Sequence, residues 1–430
     1  MKRKIITCFL IIFLCLSLFF IINFLNKSKT IEAVVISSNN NKLVVKDINN
    51  TIYNFDFNSN IEIGSNIVIT YNKNKIINYS IIFLDSIDFI SDNGIFKDYY
   101  EIAYNKLKTL TLDEKIGQLF LARYNRTNTI DNLEKYKFGG YVFYKKDFEG
   151  KSTNEVKKMI NDLQINSKIP LLTAVDEEGG KIVRISSNPN LYHAPFKSSS
   201  ELYSIGSFEL IKQDTINKSK LLNNLGLNLN LAPVVDVSTN PNDYMYERSF
   251  KQSTNLTKQY AKVVIETSKN TKVSYTLKHF PGYGNNIDTH FNSSVDTRSY
   301  EYILNNDLPP FEEGIKAGAE AILVSHNIVT SIDNNPASLS KKINDLLRNN
   351  LNFTGVIITD DLDMGATKAI DDAAIKAILA ENNLLIVTDY QKIDSIKKAI
   401  NEGLISEKLI DRLTLRVLAW KYYKGLISID

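Results

Sequence analysis

The stretch SYTLKHFPGYGNNIDTH, Ser274 to His290, starts as an apolar run and ends in breakers, amides, a carboxylate and an imidazole. An apolar run closed by Lys278 and His279 fits a buried parallel strand with a functional C-terminal end. Seven further runs have the same build: GQLFLA (117–122), GYVFY (140–144), LLTAVD (171–176), LNLNLAPVVD (227–236), AILVSH (321–326), GVIITDD (355–361) and LLIVTD (384–389). Segments of helical periodicity lie between them. In NEVKKMINDLQ, Val156, Met159, Ile160 and Leu163 fall at i, i+3, i+4 and i+7, with Thr153 or Asn154 placed to cap the helix. Eight such strands over 97–430 predict an α/β fold, a (β/α)8 TIM-type barrel. An open doubly wound sheet would carry a Gly-rich phosphate loop after its first strand, and GQLFLARYNRTN has none. The last stretch, LIDRLTLRVLAWKYYKGLI, reads as the closing helix, with Trp420 in its packing face.

Outside this unit the chain changes character. Lys2, Arg3 and Lys4 precede an uncharged run from Ile5 to Leu25. About 20 apolar residues cover a hydrocarbon core of roughly 30 Å, and the basic flank stays cytoplasmic. Residues 1–28 therefore read as a transmembrane anchor, which places a single-pass protein in the cell membrane with the rest of the chain extracellular. A cleaved signal peptide, giving a secreted protein, is the competing reading, although no small-x-small cleavage site follows. Cys15 follows Leu14, where lipid attachment needs a small residue. Both cysteines, Cys8 and Cys15, fall in this run, so the remainder has no thiol, disulfide or cysteine metal site. Residues 31–83 alternate short apolar runs with Asn-rich turns and read as a small all-β module of about five strands, with a barrel as one form it can take. Residues 84–96 read as a linker.

Of the 430 residues, 43% are hydrophobic and 23% charged, with a net charge of +3. That composition excludes a disordered or fibrous chain, and no basic stripe with interleaved aromatics points to nucleic acid. Function has to be sought at the C-terminal ends of the barrel strands. There stand Asp176, Lys278 with His279, Ser325 with His326, and Asp360 with Asp361. A mouth rich in carboxylates and imidazoles suits polar neutral substrates such as sugars. One carboxylate can form a covalent glycosyl intermediate while a group of near-neutral pKa protonates the leaving oxygen. Asp288 and His290 can form an orienting pair, although a D-x-H spacing alone is weak evidence. His279, Asp288, His290 and His326 also allow a zinc reading, but no helical His-x-x-x-His or Glu-bearing motif accompanies them. No metal and no cofactor are expected. Gly179 and Gly180 lack the pattern of a phosphate cradle and read as a tight turn.

TLDEKIGQLF, GGYVFYKKD, VDEEGGKIVRI, NLAPVVDV, ERSF, KHFPGYGNNIDTH, PASLS and GVIITDDLDMGA occur in this order over about Leu110 to Gly425. Together they resemble glycoside hydrolase family 3, in its bacterial β-N-acetylhexosaminidase branch. The resemblance implies a retaining exo-hydrolase that removes terminal N-acetylglucosamine, with bacterial peptidoglycan fragments as the expected substrate. It implies Asp360 as nucleophile, His290 as acid/base and Asp288 as its orienting partner. It also implies that Asp176, Arg184, Arg248, Lys278 and His279 hold the sugar hydroxyls; for Asp361 and Asp363 beside the nucleophile, ordering the loop stays open as the alternative to a direct role. The Pro/Gly-rich loop after His279 is expected to move His290 onto bound sugar. Many relatives have His at Tyr283, Gln at Glu177 and Arg at Lys181, and FNSSVD after His290 lacks their DLP. Three other activities share these residues: a phosphorylase that passes the glycosyl group to phosphate, a β-glucosidase, and a non-catalytic glycan binder. The oligomeric state is not legible.

Overall fold

The computed structural model describes residues 28–39, 42–47, 51–57, 61, 66–73, 75–82, 94–284, 288–289 and 293–429. The run from Ile5 to Leu25, most of the expected linker and His290 lie outside the described residues. Among those described, no helix is long and apolar enough to cross a membrane. The chain divides into two compact units, Met1–Phe89 and Ile90–Asp430.

In the first unit, β1 (Lys29–Asn39), β2 (Lys42–Asp47), β3 (Ile52–Phe55), β4 (Asn66–Asn72) and β5 (Lys75–Ile82) form one antiparallel sheet in the order β3-β2-β1-β4-β5. Its inner face follows from alternation: Leu43 and Val45 are buried, as are Ile67 and Ile69, and they pack with Val35 and Phe55. The edge strands β3 and β5 do not pair among the described residues, so the sheet is open where a barrel had been considered.

The second unit holds all eight expected strands. They are β6 (Phe120–Arg123), β7 (Gly140–Phe143), β8 (Leu172–Val175), β9 (Leu229–Asn230), β10 (Ser274–Phe280), β12 (Ala321–Val324), β14 (Val356–Asp361) and β15 (Leu384–Val387). All are parallel and close into a barrel in the order β10-β12-β14-β15-β6-β7-β8-β9. Two short strands, β11 (Val295–Asp296) and β13 (Ile328–Val329), follow β10 and β12 in the chain and pair separately with each other. Several strands are shorter than their apolar runs. β9 is the extreme case, because Pro233 has no N–H to give to a ladder. Beyond Asn230 the pairing continues as separate bonds, from Thr276 N to Ala232 O (2.8 Å), Lys278 N to Pro233 O (3.1 Å) and Val235 N to Lys278 O (2.8 Å). GQLFLA also starts late, since Gly117 ends the helix Leu112–Gly117.

The helix Thr153–Ile165 buries Val156, Ile160 and Leu163 as its periodicity requires, but its cap is Ser152. Ser152 and Glu155 form a reciprocal capping box that outcompetes Thr153 and Asn154. The closing helix, Glu407–Tyr423, carries Trp420 fully buried, with its indole N–H donated to Glu320 Oε2 at 2.8 Å. Ser274 and Lys424 bind the same carboxylate, so one acid joins the closing helix to the start of β10. Trp420→Ala should therefore cost about 3–5 kcal/mol in urea unfolding, from the cavity and the lost donor together.

Candidate active site

β8, β10 and β14 end on one mouth and deliver their polar terminators into a cavity of about 220 Å³. Asp176, Arg184, Arg248, Lys278, His279 and Asp360 all line it, with Tyr144, Tyr244, Tyr283 and Asp361. Six of the eight expected site residues thus converge. Asp288 is described and stands beside Thr289, itself a lining residue, whereas His290 lies outside the described residues.

A charge cluster forms one wall. Lys278 is 2% exposed, and its Nζ lies 2.7 Å from Asp176 Oδ1 and 2.6 Å from Glu178 Oε1. Arg248 grips Glu178 in bidentate fashion, Nε to Oε2 at 3.1 Å and NH2 to Oε1 at 2.7 Å. Burial alone would raise the Glu178 carboxyl, but the charges of Arg248 and Lys278 overcome it and hold it well below the usual range. Burial would likewise discharge Lys278, yet the Asp176 and Glu178 carboxylates keep its pKa raised. Glu178 was not among the expected site residues, although it stands in the DEEGG motif. Arg184 approaches Asp176 only to 4.0 Å, and its buried Nε has no hydrogen-bond partner among the described residues.

The loop carrying Arg184 is shaped by Glu177. This buried carboxylate accepts from Arg184 N (2.9 Å), Ile185 N (2.8 Å), and both Ser186 N (3.3 Å) and Oγ (2.5 Å). Burial pushes its pKa up against those bonds. Gly179 and Gly180, at φ +100° and +64°, make the expected tight turn.

His279 is held by Asp236, a residue outside the expected site that ends the fourth apolar run. Asp236 Oδ2 accepts from His279 Nδ1 at 2.7 Å and from its backbone N at 3.1 Å. The pairing places the Nδ1 proton toward Asp236 and turns Nε2 toward Arg248 NH2, 3.4 Å away. Asp236 Oδ1 accepts from Tyr283 N at 2.7 Å, so one acid binds both ends of the HFPGY turn. Gly282, at φ +121°, and Gly284, at φ +61°, have no room for a side chain: a Cβ would come within 2.5 Å of Asp307 and of Arg298 respectively. Arg298 is itself bound to Asp296 and Asp307. Close packing, rather than a free hinge, accounts for these glycines.

Tyr283, the residue at which the loop is expected to depart from relatives, is buried. Its hydroxyl accepts from Thr289 N at 2.9 Å and shares a 2.9 Å hydrogen bond with Thr289 Oγ1. It thereby ties the turn to the backbone between Asp288 and His290. Burial raises the Tyr244 phenol, the Arg248 charge opposes this, and the nearby Asp288 carboxylate adds to it. Tyr283→Phe should keep the Asp236 contact, which uses backbone, but strand the Thr289 N–H. Turnover should fall roughly 10–100-fold with little change in KM, because a small displacement of a reacting group is costly. A pure KM effect in steady-state kinetics would contradict this positioning role.

On the opposite wall, Asp360 Oδ1 accepts from Asp361 N at 2.9 Å. Asp361 accepts from Asp363 N at 3.0 Å and Thr388 Oγ1 at 3.0 Å, while Asp363 binds Lys392 Nζ at 2.5 Å and the Thr388 and Asp389 amides. His326 commits Nδ1 to Ser338 Oγ (2.7 Å) and Nε2 to the Asp361 carbonyl (2.8 Å). These residues order the strand end that presents Asp360. No group of three or more His, Cys, Asp or Glu among the described residues is arranged to hold a metal.

Burial, opposed by the Asp363 N–H and reinforced by the Asp363 charge, pushes Asp361 up to about 6. A carboxyl raised from 3.8 binds its proton more tightly folded than unfolded, so ionising it weakens the fold as pH rises from about 4 to above 6. Asp361→Asn should consequently gain on wild type in melting temperature between pH 4 and pH 7.5, a difference of up to ~3 kcal/mol. A constant offset across that range would contradict it.

The model of the glycosyl hydrolase family 3 N-terminal domain matches residues 111–420, nearly the whole barrel unit. The chain belongs to glycosyl hydrolase family 3. It is 29% identical over 252 residues to a β-hexosaminidase of Xylella fastidiosa strain M23, covering 56% of this chain and 72% of that one. Against a β-hexosaminidase of Stenotrophomonas maltophilia, identity is 28% over 67% of this chain and 88% of that one. Among solved structures, a family 3 β-N-acetylglucosaminidase from Paenibacillus sp. superposes with a TM-score of 0.69 at 27% identity. The match covers 75% of this family 3 chain and 65% of that protein.

Proposed function

We propose that this glycoside hydrolase is a retaining, exo-acting β-N-acetylglucosaminidase. The observation that carries the reading is the small cavity in which Asp360 faces a fixed grip of Asp176, Lys278, Arg248 and His279. A volume of about 220 Å³ is below the roughly 300–1,000 Å³ of sites for larger ligands, and it admits one terminal sugar. Names carried by the relatives above support N-acetylglucosamine as that sugar.

In this reading Asp360 attacks C1 of the bound sugar. The glycosidic C–O bond breaks as protonated His290 gives its proton to the leaving oxygen. Neutral His290 then takes a proton from water, the water oxygen bonds C1, and the Asp360 ester is released with net retention. Asp288 orients His290 and favours its charged form. His290→Ala should cripple substrates with poor leaving groups far more than activated aryl glycosides; equal loss on both would contradict the acid role.

We place the catalytic unit at 97–430, after the 31–83 module and the 84–96 linker. Residues 1–28 are read as a membrane anchor that leaves this unit extracellular, or as a removed signal in a secreted protein. Peptidoglycan fragments are then the accessible substrate. The test is to incubate the full-length protein with aryl N-acetylglucosaminide and aryl glucoside, with and without phosphate. Free N-acetylglucosamine is expected; N-acetylglucosamine 1-phosphate would indicate a phosphorylase, release from the glucoside alone a β-glucosidase, and no product a binder.

A further inference from the structure

Asp288 and His290 stand on a stretch of chain whose two ends meet at one buried ion cluster. Arg298 donates Nε to both oxygens of Asp296, at 3.0 Å each, and NH2 to Asp296 Oδ2 at 2.7 Å. Its NH1 reaches Asp307 Oδ1 at 3.1 Å and Oδ2 at 3.0 Å. Both carboxylate side chains are 1% exposed, so they need this cation beside them. A planar guanidinium has donors on two edges and can fork to both acids, whereas an ammonium is a point charge. Among the described residues, none of the three lines the catalytic cavity.

The outgoing end of the stretch rests on the cluster by contact. A Cβ on Gly282 would stand 2.5 Å from Asp307 Oδ1, and one on Gly284 would stand 2.5 Å from the Arg298 guanidinium carbon. The returning end is part of the cluster, because Asp296 closes β11. That strand pairs with β13, and the Asp296 carbonyl accepts from Thr330 N at 3.0 Å and Thr330 Oγ1 at 2.9 Å. Asp307 is anchored in turn. It precedes the helix Leu308–Lys316, whose Phe311 packs edge-on against Phe280 of β10 with ring centroids 5.1 Å apart.

Tyr283 lies between the two glycines and carries their position onward. Its carbonyl accepts from Asn327 Nδ2 at 3.3 Å, and its hydroxyl binds Thr289, the neighbour of both Asp288 and His290. The Thr289 carbonyl accepts from Ala366 N at 3.2 Å, in the helix Gly365–Lys368 that follows the strand of Asp360. A shift of the Gly282–Gly284 turn is thus passed through one tyrosine to the residue between the acid and its partner.

We infer that Arg298 is a positioning residue for the protonation step: with Asp296 and Asp307 it clasps both ends of the chain between Gly284 and Asp296, and so sets where Asp288 and His290 stand against the leaving oxygen. The inference rests on the proposed role of His290 as acid. Its test compares Arg298→Lys, Gly284→Ala and His290→Ala in the full-length protein. Arg298→Lys keeps the charge and loses the fork. Gly284→Ala keeps the ions and drives a methyl group into a guanidinium that two carboxylates prevent from swinging aside.

kcat/KM is measured on a β-1,4-linked N-acetylglucosamine disaccharide, whose leaving oxygen needs a proton, and on an aryl N-acetylglucosaminide with a strongly acidic phenol, which does not. The disaccharide-to-aryl ratio cancels any loss of folded protein. It should fall at least about tenfold in Arg298→Lys and in Gly284→Ala, a part of the roughly 10²–10⁴ that a placed general acid contributes. His290→Ala sets the full fall. If His290→Ala lowers the ratio and either clasp variant leaves it at the wild-type value, whatever its absolute rate, the cluster is structural only and the inference is overturned. A wild-type ratio in His290→Ala, or wild-type protein inert on both substrates, would instead overturn the reading beneath it and the inference together.

Discussion

Asp360→Asn should reduce turnover of an aryl N-acetylglucosaminide by roughly 10⁴–10⁶-fold, the scale set by removing a catalytic nucleophile. The fold should survive, because the bond that Asp360 Oδ1 accepts from the Asp361 N–H needs only an amide oxygen. Substrate should still bind, since the hydroxyl grip sits on β8, β10 and the loop after β9. The signature is thus a collapse of kcat with an unfolding midpoint close to wild type. A variant that keeps more than about 1% of wild-type kcat would place the nucleophile elsewhere.

Lys278→Met should combine a stability loss with a binding loss. Lys278 is the buried cation between Asp176 and Glu178, and removing one partner of a buried ion pair costs about 3–5 kcal/mol. KM should rise as Asp176 loses its orienting charge, by roughly 10–100-fold for a charge-assisted contact. The pH dependence has a definite sign. Glu178 is held below its ordinary 4.5, so its contribution to stability is present above that value and is lost as pH falls below it. With Lys278 removed that contribution shrinks, so the stability gap between wild type and variant should narrow on acidification below about pH 4.5. A gap that is constant or widens in acid, measured by urea unfolding, would contradict the cluster.

The barrel was legible because each strand is a near-continuous apolar run stopped by a charged residue. That pattern survives even where the ladder is interrupted, as at Pro233 after β9. Strand lengths were less legible, since apolar residues continue past the last ladder bond into the strand ends. The helix cap at Ser152 was missed because a capping box depends on Glu155 three residues on, beyond any single-residue preference.

At the site, residues that meet the cavity could be named from strand ends and motif order. Residues that hold them could not. Glu178 and Asp236 do their work by facing Arg248, Lys278 and His279, partners brought near only by barrel closure. Asp236 was within reach of the strand-end rule, since it terminates LNLNLAPVVD. The Arg298, Asp296 and Asp307 cluster beneath the glycines had no such signal, because its meaning comes from the absence of space at Gly282 and Gly284. Tyr283 was recognisable as a departure, but its bonds to Thr289 required the folded turn.

The most direct test is to trap the intermediate. The protein is quenched during turnover of a fluorinated N-acetylglucosaminide whose glycosyl-enzyme hydrolyses slowly, and its peptides are mapped by mass. The account predicts one added glycosyl group, on Asp360. An adduct on Asp361, Asp288 or any other residue, or turnover with inverted product and no adduct, would contradict it.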